Sequence, residues 1–157
     1  MNKNLTFLLN QRVALLLSFL IWICFFTLSG AASQRFVDNG NGTITDTKTG
    51  LMWVSNDNGI PINWPDSILY CKNLSIGGYS DWRMPTLTEL KSLFTPNVKN
   101  KNGYHTTKLI TTTAQSCWAS ETRGYSAGRF NFTYGKEYWL RQSYSGPTRV
   151  LALRNIQ

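Results

Sequence analysis

The spacing of hydrophobic positions changes twice along the chain, and the changes predict strands, then two helices, then strands again. Between residues 35 and 54, apolar and polar residues alternate and are interrupted by two turn-forming runs, at 39–42 and 46–50. Asparagine and glycine at 39–42 accept positive φ angles, which is typical of a hairpin turn. This part of the chain therefore predicts a small antiparallel unit that ends in a buried strand over Leu51–Val54.

A first helix is predicted after residue 62. Asn63 or Trp64 is the expected N-cap, and Pro65 fits the first turn because proline lacks the amide hydrogen that is unsatisfied there anyway. The residues predicted to face the core are Ile68, Leu69, Cys71 and Leu74.

A second helix is predicted from Thr86. Thr86 is a good N-cap and Glu89 follows three residues later, so the two side chains can close a capping box. The apolar stripe at helical spacing consists of Leu87, Leu90, Leu93 and Phe94.

The last third of the chain predicts a loop and then a set of strands. Residues 97–113 are rich in Lys, Asn, Thr and Gly and are expected to form a long exposed loop with little regular structure. Strands are expected over 116–120, 128–133, 138–142 and 148–154. This order predicts an α+β domain in which two helices pack on antiparallel sheets.

The N-terminal segment has the features of a secretory signal peptide. Lys3 and Arg12 precede an apolar run over residues 13–28, and small residues follow at 30–32. We expect residues 1–32 to be a signal peptide and residues 33–157 to be one domain. An uncleaved membrane anchor is the alternative, although the run of 16 residues is shorter than the roughly 20 needed to span a bilayer. The protein is therefore expected to be secreted or held in the cell envelope.

Two cysteines, Cys71 and Cys117, remain after residue 33. An even number of cysteines in an exported chain favours a disulfide, so pairing of these two is the expectation and two free thiols are the alternative.

The excess of positive charge lies in the C-terminal half of the chain. Residues 91–157 contain ten basic and two acidic residues, whereas residues 33–90 contain four basic and six acidic ones. Such a field favours anionic polymers as partners.

Several blocks of the sequence resemble a bacterial extracellular family, the Lcl C-terminal domain family. The blocks lie at 35–46, 49–53, 70–74, 78–90 and 117–122, with Trp64 between the second and the third. The resemblance implies a C-type-lectin-like fold in which the terminal strands pair and the long loop lies near the ligand surface. It also implies attachment to sulfated glycosaminoglycans, either as a single chain or as a homo-oligomer. The chain departs from the family at Ala152, where members carry a cysteine, so the usual disulfide cannot form.

The sequence offers little material for catalysis or for metal binding. His105 is the single histidine and lies in the predicted loop, and one histidine with two distant cysteines is too few for zinc. The run at 38–42 resembles the start of a calcium loop, but glycines stand where oxygen ligands are needed, so a turn is the better interpretation. We expect no enzyme activity, no cofactor and no metal. An exported enzyme-like domain that uses cysteine and histidine, and an envelope structural protein, remain alternatives.

Cations and aromatic rings alternate in the C-terminal half. Arginine binds sulfate or carboxylate with two parallel hydrogen bonds, while tyrosine and tryptophan stack on sugar rings. We therefore expect a non-enzymatic domain that binds an anionic polysaccharide, such as a host glycosaminoglycan. We expect no nucleic-acid partner, and membrane contact only through the N-terminal segment. The predicted binding residues are Arg123, Tyr125, Arg129, Lys136, Arg141, Arg149, Lys99, Lys101 and Lys108.

Overall fold

A computed structural model describes residues 34–156, so the signal-peptide and anchor interpretations of residues 1–32 lie outside the described residues. The elements are two helices and eight strands in the described part of the chain. In order they are β1 (Phe36–Asp38), β2 (Thr43–Asp46), β3 (Leu51–Val54), α1 (Trp64–Asn73), α2 (Leu87–Leu93), β4 (Ser116–Arg123), β5 (Ser126–Asn131), β6 (Lys136–Arg141), β7 (Thr148–Arg149) and β8 (Leu153–Asn155). The α+β class is confirmed.

The strands form two four-stranded sheets. The first sheet has the order β1-β2-β3-β8 and is antiparallel throughout, so a C-terminal strand lies beside the N-terminal hairpins. The second has the order β6-β5-β4-β7, and here the prediction of purely antiparallel sheets is wrong, because β7 runs parallel to β4 with Thr148 opposite Ser116. Residues 150–152, predicted to lie inside one strand, are a fully buried connection between β7 and β8.

Helix α1 begins as its sequence predicts. The Asn63 side chain accepts a hydrogen bond from the Asp66 amide at 2.9 Å, and Pro65 occupies the first turn. The inward face is narrower than predicted, because Cys71 is buried whereas Leu69 is 55 % exposed. Successive residues of a helix are rotated by about 100°, so a helix that buries positions 67 and 71 turns position 69 towards solvent.

Helix α2 has the predicted capping box. The Thr86 hydroxyl accepts from the Glu89 amide at 3.2 Å, and the Glu89 carboxylate accepts from the Thr86 amide at 2.7 Å. A second carboxylate, that of Glu121 on β4, accepts from the Leu87 amide. Leu87, Leu90 and Leu93 are buried, as the stripe predicts.

The loop over residues 97–113 contains no helix and only one isolated strand bridge, from Thr111 to Asn56, but it is not exposed throughout. Asn100 is buried and organises the segment. Its side-chain amide donates to the Ile110 carbonyl and the Thr112 hydroxyl, and its side-chain oxygen accepts from the Tyr104 amide. The polar composition of this loop predicted exposure to solvent, but several of its polar groups form hydrogen bonds with one another instead.

A single hydrophobic core lies between the sheets and the helices. Its largest fully buried side chains include Trp53, Trp118, Phe130, Phe132 and Leu90. Residues 34–157 form a compact unit around this core, so they can be studied as a folded fragment. No helix among residues 34–156 is both long enough and apolar enough to cross a bilayer.

Two hairpin glycines offer a matched test of the packing. Gly124 and Gly135 both have positive φ angles, of 55° and 66°. An added Cβ would meet nothing within 4 Å at Gly124 but would lie 2.6 Å from the Phe94 ring at Gly135. We expect Gly124→Ala to lower the free energy of unfolding by about 1 to 2 kcal/mol through backbone strain alone. Gly135→Ala should lose at least about 1 kcal/mol more through the clash, as measured by urea denaturation. Equal losses in the two variants would contradict this packing.

The capping box also predicts a pH dependence of stability. Burial works to raise the pKa of the Glu89 carboxyl, but hydrogen bonds from Arg83 and from the Thr86 amide outweigh burial, so the pKa lies below its usual value. A carboxyl whose pKa is lower in the folded state stabilises the fold above its unfolded pKa of about 4.3 and loses that contribution as the pH falls through the folded value.

We therefore expect Glu89→Gln to be less stable than the parent at pH 7, with the difference shrinking as the pH falls below about 4. Urea denaturation at a series of pH values measures both proteins. A difference in unfolding free energy that stays constant from pH 7 to pH 3 would show that the ionised carboxylate does not act in this way.

Candidate ligand-binding surface

Carboxylates neutralise few of the cations in this domain. The described residues contain three ion pairs, Arg35–Asp46, Arg83–Glu89 and Arg154–Asp81, each with a shortest distance of 2.7 Å. Arg154 is therefore the only basic residue between positions 91 and 156 that has an ion-pair partner within the described part of the chain. The positive charge that the sequence concentrates in this half remains uncompensated at its surface.

Three of the predicted binding residues come together where β4 turns into β5. Arg123 on β4 and Arg141 on β6 both lie directly opposite Ser126 on β5, so the two arginines share one face of the sheet. Their Cα atoms are about 10 Å apart, which is two strand spacings. Tyr125 lies in the turn between β4 and β5 and is 92 % exposed.

An aromatic ring supports one of these arginines. The Arg123 guanidinium carbon lies 3.8 Å from the centre of the Trp139 ring, which is a close cation–π contact. Trp139 lies opposite Gly128, on the same face of the sheet as Arg123 and Arg141. Stacking restricts the guanidinium plane but leaves its N–H edge free to donate hydrogen bonds.

A cleft of about 660 Å³ lies beside this cluster. Its lining comes from the start of α1, the β4–β5 turn and the end of β6, and consists of Asn63, Pro65, Asp66, Tyr125, Ser126, Arg141, Gln142 and Ser143. Main-chain bonds fix its walls, because the Gln142 amide donates to the Tyr125 carbonyl and the Trp64 amide donates to the Gln142 carbonyl. Asp66 is the carboxylate of the cleft and accepts a hydrogen bond from the Asn63 side chain at 2.8 Å.

Other predicted residues lie elsewhere on the domain. Arg129 is on the opposite face of the second sheet, where it donates to the Thr148 hydroxyl and lies 5.6 Å from the Tyr138 ring centre. Arg149 donates to the Thr113 hydroxyl at 2.8 Å. Lys136 is opposite Asn131, five residues along β6 from Arg141, which corresponds to about 17 Å. The exposed side chains of the long loop include Lys99, Lys101 and Lys108.

The family model of the Lcl C-terminal domain matches residues 42–154, which include β2 to α2 and the whole second sheet. The chain belongs to the Lcl C-terminal domain family. Membership indicates a surface-associated, adhesin-like domain. A comparison with curated proteins finds no match.

The cysteines of this Lcl C-terminal domain are free, so the predicted disulfide between Cys71 and Cys117 is wrong. Both thiols are buried in the hydrophobic core, where an unpaired cysteine packs as a small apolar side chain. Burial raises the pKa of the Cys71 thiol to about 12 and raises that of Cys117 well above its usual value. Since the thiolate is the reactive form, neither side chain is poised as a nucleophile.

The ring of the single histidine packs against an aromatic side chain. His105 lies edge-on to Phe94 with 5.9 Å between ring centres, and its Nδ1 atom is buried without a hydrogen-bond partner. Among residues 34–156, no group of three or more His, Cys, Asp and Glu side chains is placed to hold a metal ion. The exposed residues of the second sheet include Arg123, Lys136 and Arg141, together with the carboxylate of Glu137 on β6.

Part of the cleft could not be found from the sequence. Asn63 and Asp66 belong to the start of α1, nearly 80 residues before Gln142 and Ser143, and no local pattern links the two segments. Asn63 was predicted only as a helix cap. The partial signal was the mixture of cations and rings after residue 120, which singled out Arg123, Tyr125 and Arg141.

The burial of the cysteines makes a simple prediction for residues 34–157. We expect Cys71 and Cys117 to be unreactive towards a thiol-specific chromogenic reagent at pH 8 while the protein is folded, because both thiols are buried and protonated. Denaturation without a reductant should then expose both thiols to the reagent. Fewer than two titrated thiols per denatured chain, rising to two after reduction, would show that a disulfide forms.

Proposed function

We propose that this domain is a non-enzymatic module that attaches to anionic, sulfated glycans through Arg123, Tyr125 and Arg141. The observation that carries the proposal is the arrangement of these residues at one end of the second sheet, beside a cleft and without ion-pair partners for the two arginines among the described residues. We propose an extracellular polysaccharide such as a host glycosaminoglycan as the partner, and no nucleic acid.

The exposed ring supports recognition of a sugar. Tyr125 is 92 % exposed on a turn, where a large aromatic side chain is not needed for packing. Tyrosine offers a flat surface at little conformational cost, since only two side-chain angles are fixed when a ligand binds. A sugar ring stacked on Tyr125 would place its substituents over the cleft that Arg141 lines.

The two arginines support a preference for sulfate or carboxylate groups. The separation of about 10 Å between their Cα atoms would allow the two arginines to contact two different anionic groups along a polymer. Arg123 is oriented by Trp139, so less side-chain freedom is lost when its N–H edge binds an anion. Asp66 in the same cleft would repel an anion placed close to it and so limits where the chain can lie.

The buried cysteines support the non-enzymatic part of the proposal, and the strand pairing supports an assignment of the fold. Buried thiols of raised pKa favour a binding role over the alternative of an exported enzyme that uses cysteine. We further propose that the domain has a C-type-lectin-like fold. The pairing of β8 with β3 and the long loop before the second sheet support this assignment.

The test is retention of residues 34–157 on immobilised heparin. Arg141→Gln should lower the salt concentration of elution and weaken heparin binding about tenfold, or about 1.4 kcal/mol, because a charge-assisted hydrogen bond is lost. Lys48→Gln is the charge-matched control, since Lys48 is exposed on the turn between β2 and β3 of the other sheet. It should elute almost as the parent does.

A second pair of variants separates stacking from charge. Tyr125→Ala should weaken binding, whereas Tyr134→Ala, at an exposed ring in the β5–β6 turn, should not. The proposal fails if the parent passes through heparin at about 0.15 M salt, or if each control variant loses as much affinity as its partner.

A further inference from the structure

A second concavity lies on the other side of α1 and shares no lining residue with the cleft beside Arg141. It is a groove of about 480 Å³ between α1, the extended segment 82–84 and the exposed part of β4 at Ser120. This volume falls within the roughly 300–1,000 Å³ of small-molecule sites. Trp64, Ile68 and Cys71 line one wall and follow one face of the helix, while Trp82 and Met84 line the other.

The walls of the groove are fixed by hydrogen bonds to different parts of the domain. The Trp64 indole N–H donates to the Ala119 carbonyl of β4 at 2.8 Å, which holds the first turn of α1 against the second sheet. The opposite wall is bonded to β8, because Arg83 and Leu153 exchange main-chain hydrogen bonds of 2.8 and 3.0 Å. The groove is therefore formed before any ligand arrives, which lowers the ordering cost of binding.

The interior of the groove is apolar. Both indole N–H groups are already satisfied, that of Trp64 by Ala119 and that of Trp82 by the Tyr79 carbonyl at 3.0 Å, so the rings offer carbon surface to a ligand. Cys71 is 1 % exposed and its raised pKa keeps the thiol neutral. An apolar ligand body would thus meet carbon surface and a neutral thiol, and no unpaired indole N–H from these two rings.

The rim of the groove is polar and contains one uncompensated charge. Arg83 is neutralised, since its guanidinium binds the Glu89 carboxylate at 2.7 and 2.9 Å and the Asn155 side chain at 2.8 Å. Lys72, in the last turn of α1, is exposed and takes part in none of the ion pairs among residues 34–156. The Ser120 side chain completes the exposed edge.

From this combination we propose that the groove binds a small monoanionic amphiphile, with its apolar body against Trp64, Trp82 and Met84 and its anionic group at Lys72. A single free cation beside an apolar wall complements a single negative charge, and a medium-chain carboxylate has this chemistry. This binding requires neither Arg123 nor Arg141, so it is independent of the glycan proposal.

The test is calorimetric titration of residues 34–157 with decanoate, well below the concentration at which it forms micelles. We expect saturable binding at one site, and at least tenfold weaker binding of decyltrimethylammonium, which has the same chain and the opposite charge. Lys72→Glu should weaken decanoate binding about tenfold or more by replacing attraction with repulsion. Lys91→Glu, the same change at an exposed lysine in the last turn of α2, should leave it unchanged.

A second variant tests the groove itself. Ser120→Phe places a ring over the groove at an exposed position, so it should abolish decanoate binding while thermal unfolding and heparin retention stay as in the parent. The proposal is overturned if decanoate does not saturate a site, if the cationic amphiphile binds equally well, or if the two lysine variants behave alike. It is also overturned if Ser120→Phe folds and still binds decanoate.

Discussion

The segment from Thr148 to Asn155 belongs to both sheets, and the rest of the architecture depends on this double membership. Thr148 pairs with β4 in the second sheet, and Leu153 pairs with β3 in the first. Residues 150–152 between them are fully buried and their main chain is hydrogen-bonded, since the Val54 amide donates to the Ala152 carbonyl and the Asn58 side chain accepts from the Val150 amide. A buried segment can cross between two layers only when its polar groups find such partners.

Hydrogen bonds to the two sheets fix the segments that line the two concavities. The segment that holds Arg83 and Trp82 is attached to β8, whereas the start of α1 is attached to the end of β6 and to β4. The start of the helix is thus held against the second sheet, with the cleft beside Arg141 on one side and the apolar groove on the other. Both concavities are therefore lined by segments that hydrogen bonds hold in place.

Charged side chains have different roles in the N-terminal and the C-terminal half of the chain. In the N-terminal half, Asp46 and Glu89 pair with arginines and also accept main-chain hydrogen bonds, so their ionised forms help to hold the fold. In the C-terminal half, few carboxylates are available, and Glu121 is used at the start of α2. The cations of the second sheet form no ion pairs among residues 34–156, while the core of the domain is largely apolar or aromatic.

The sequence by itself determined those elements that depend on residues close together in the chain. The turn at 39–42, the proline start of α1 and the capping box of α2 each depend on residues within four positions of one another, and each forms as predicted. Only the tertiary structure decided that residues 148–154 divide between two sheets, that Asn100 buries part of a polar loop, and that the two cysteines stay apart. It also decided which cations share a face of the sheet, because strand register places Arg123 and Arg141 on one face and Arg129 on the other. These outcomes depend on pairings between distant residues, and the spacing of hydrophobic residues along a chain does not encode which strand lies next to which.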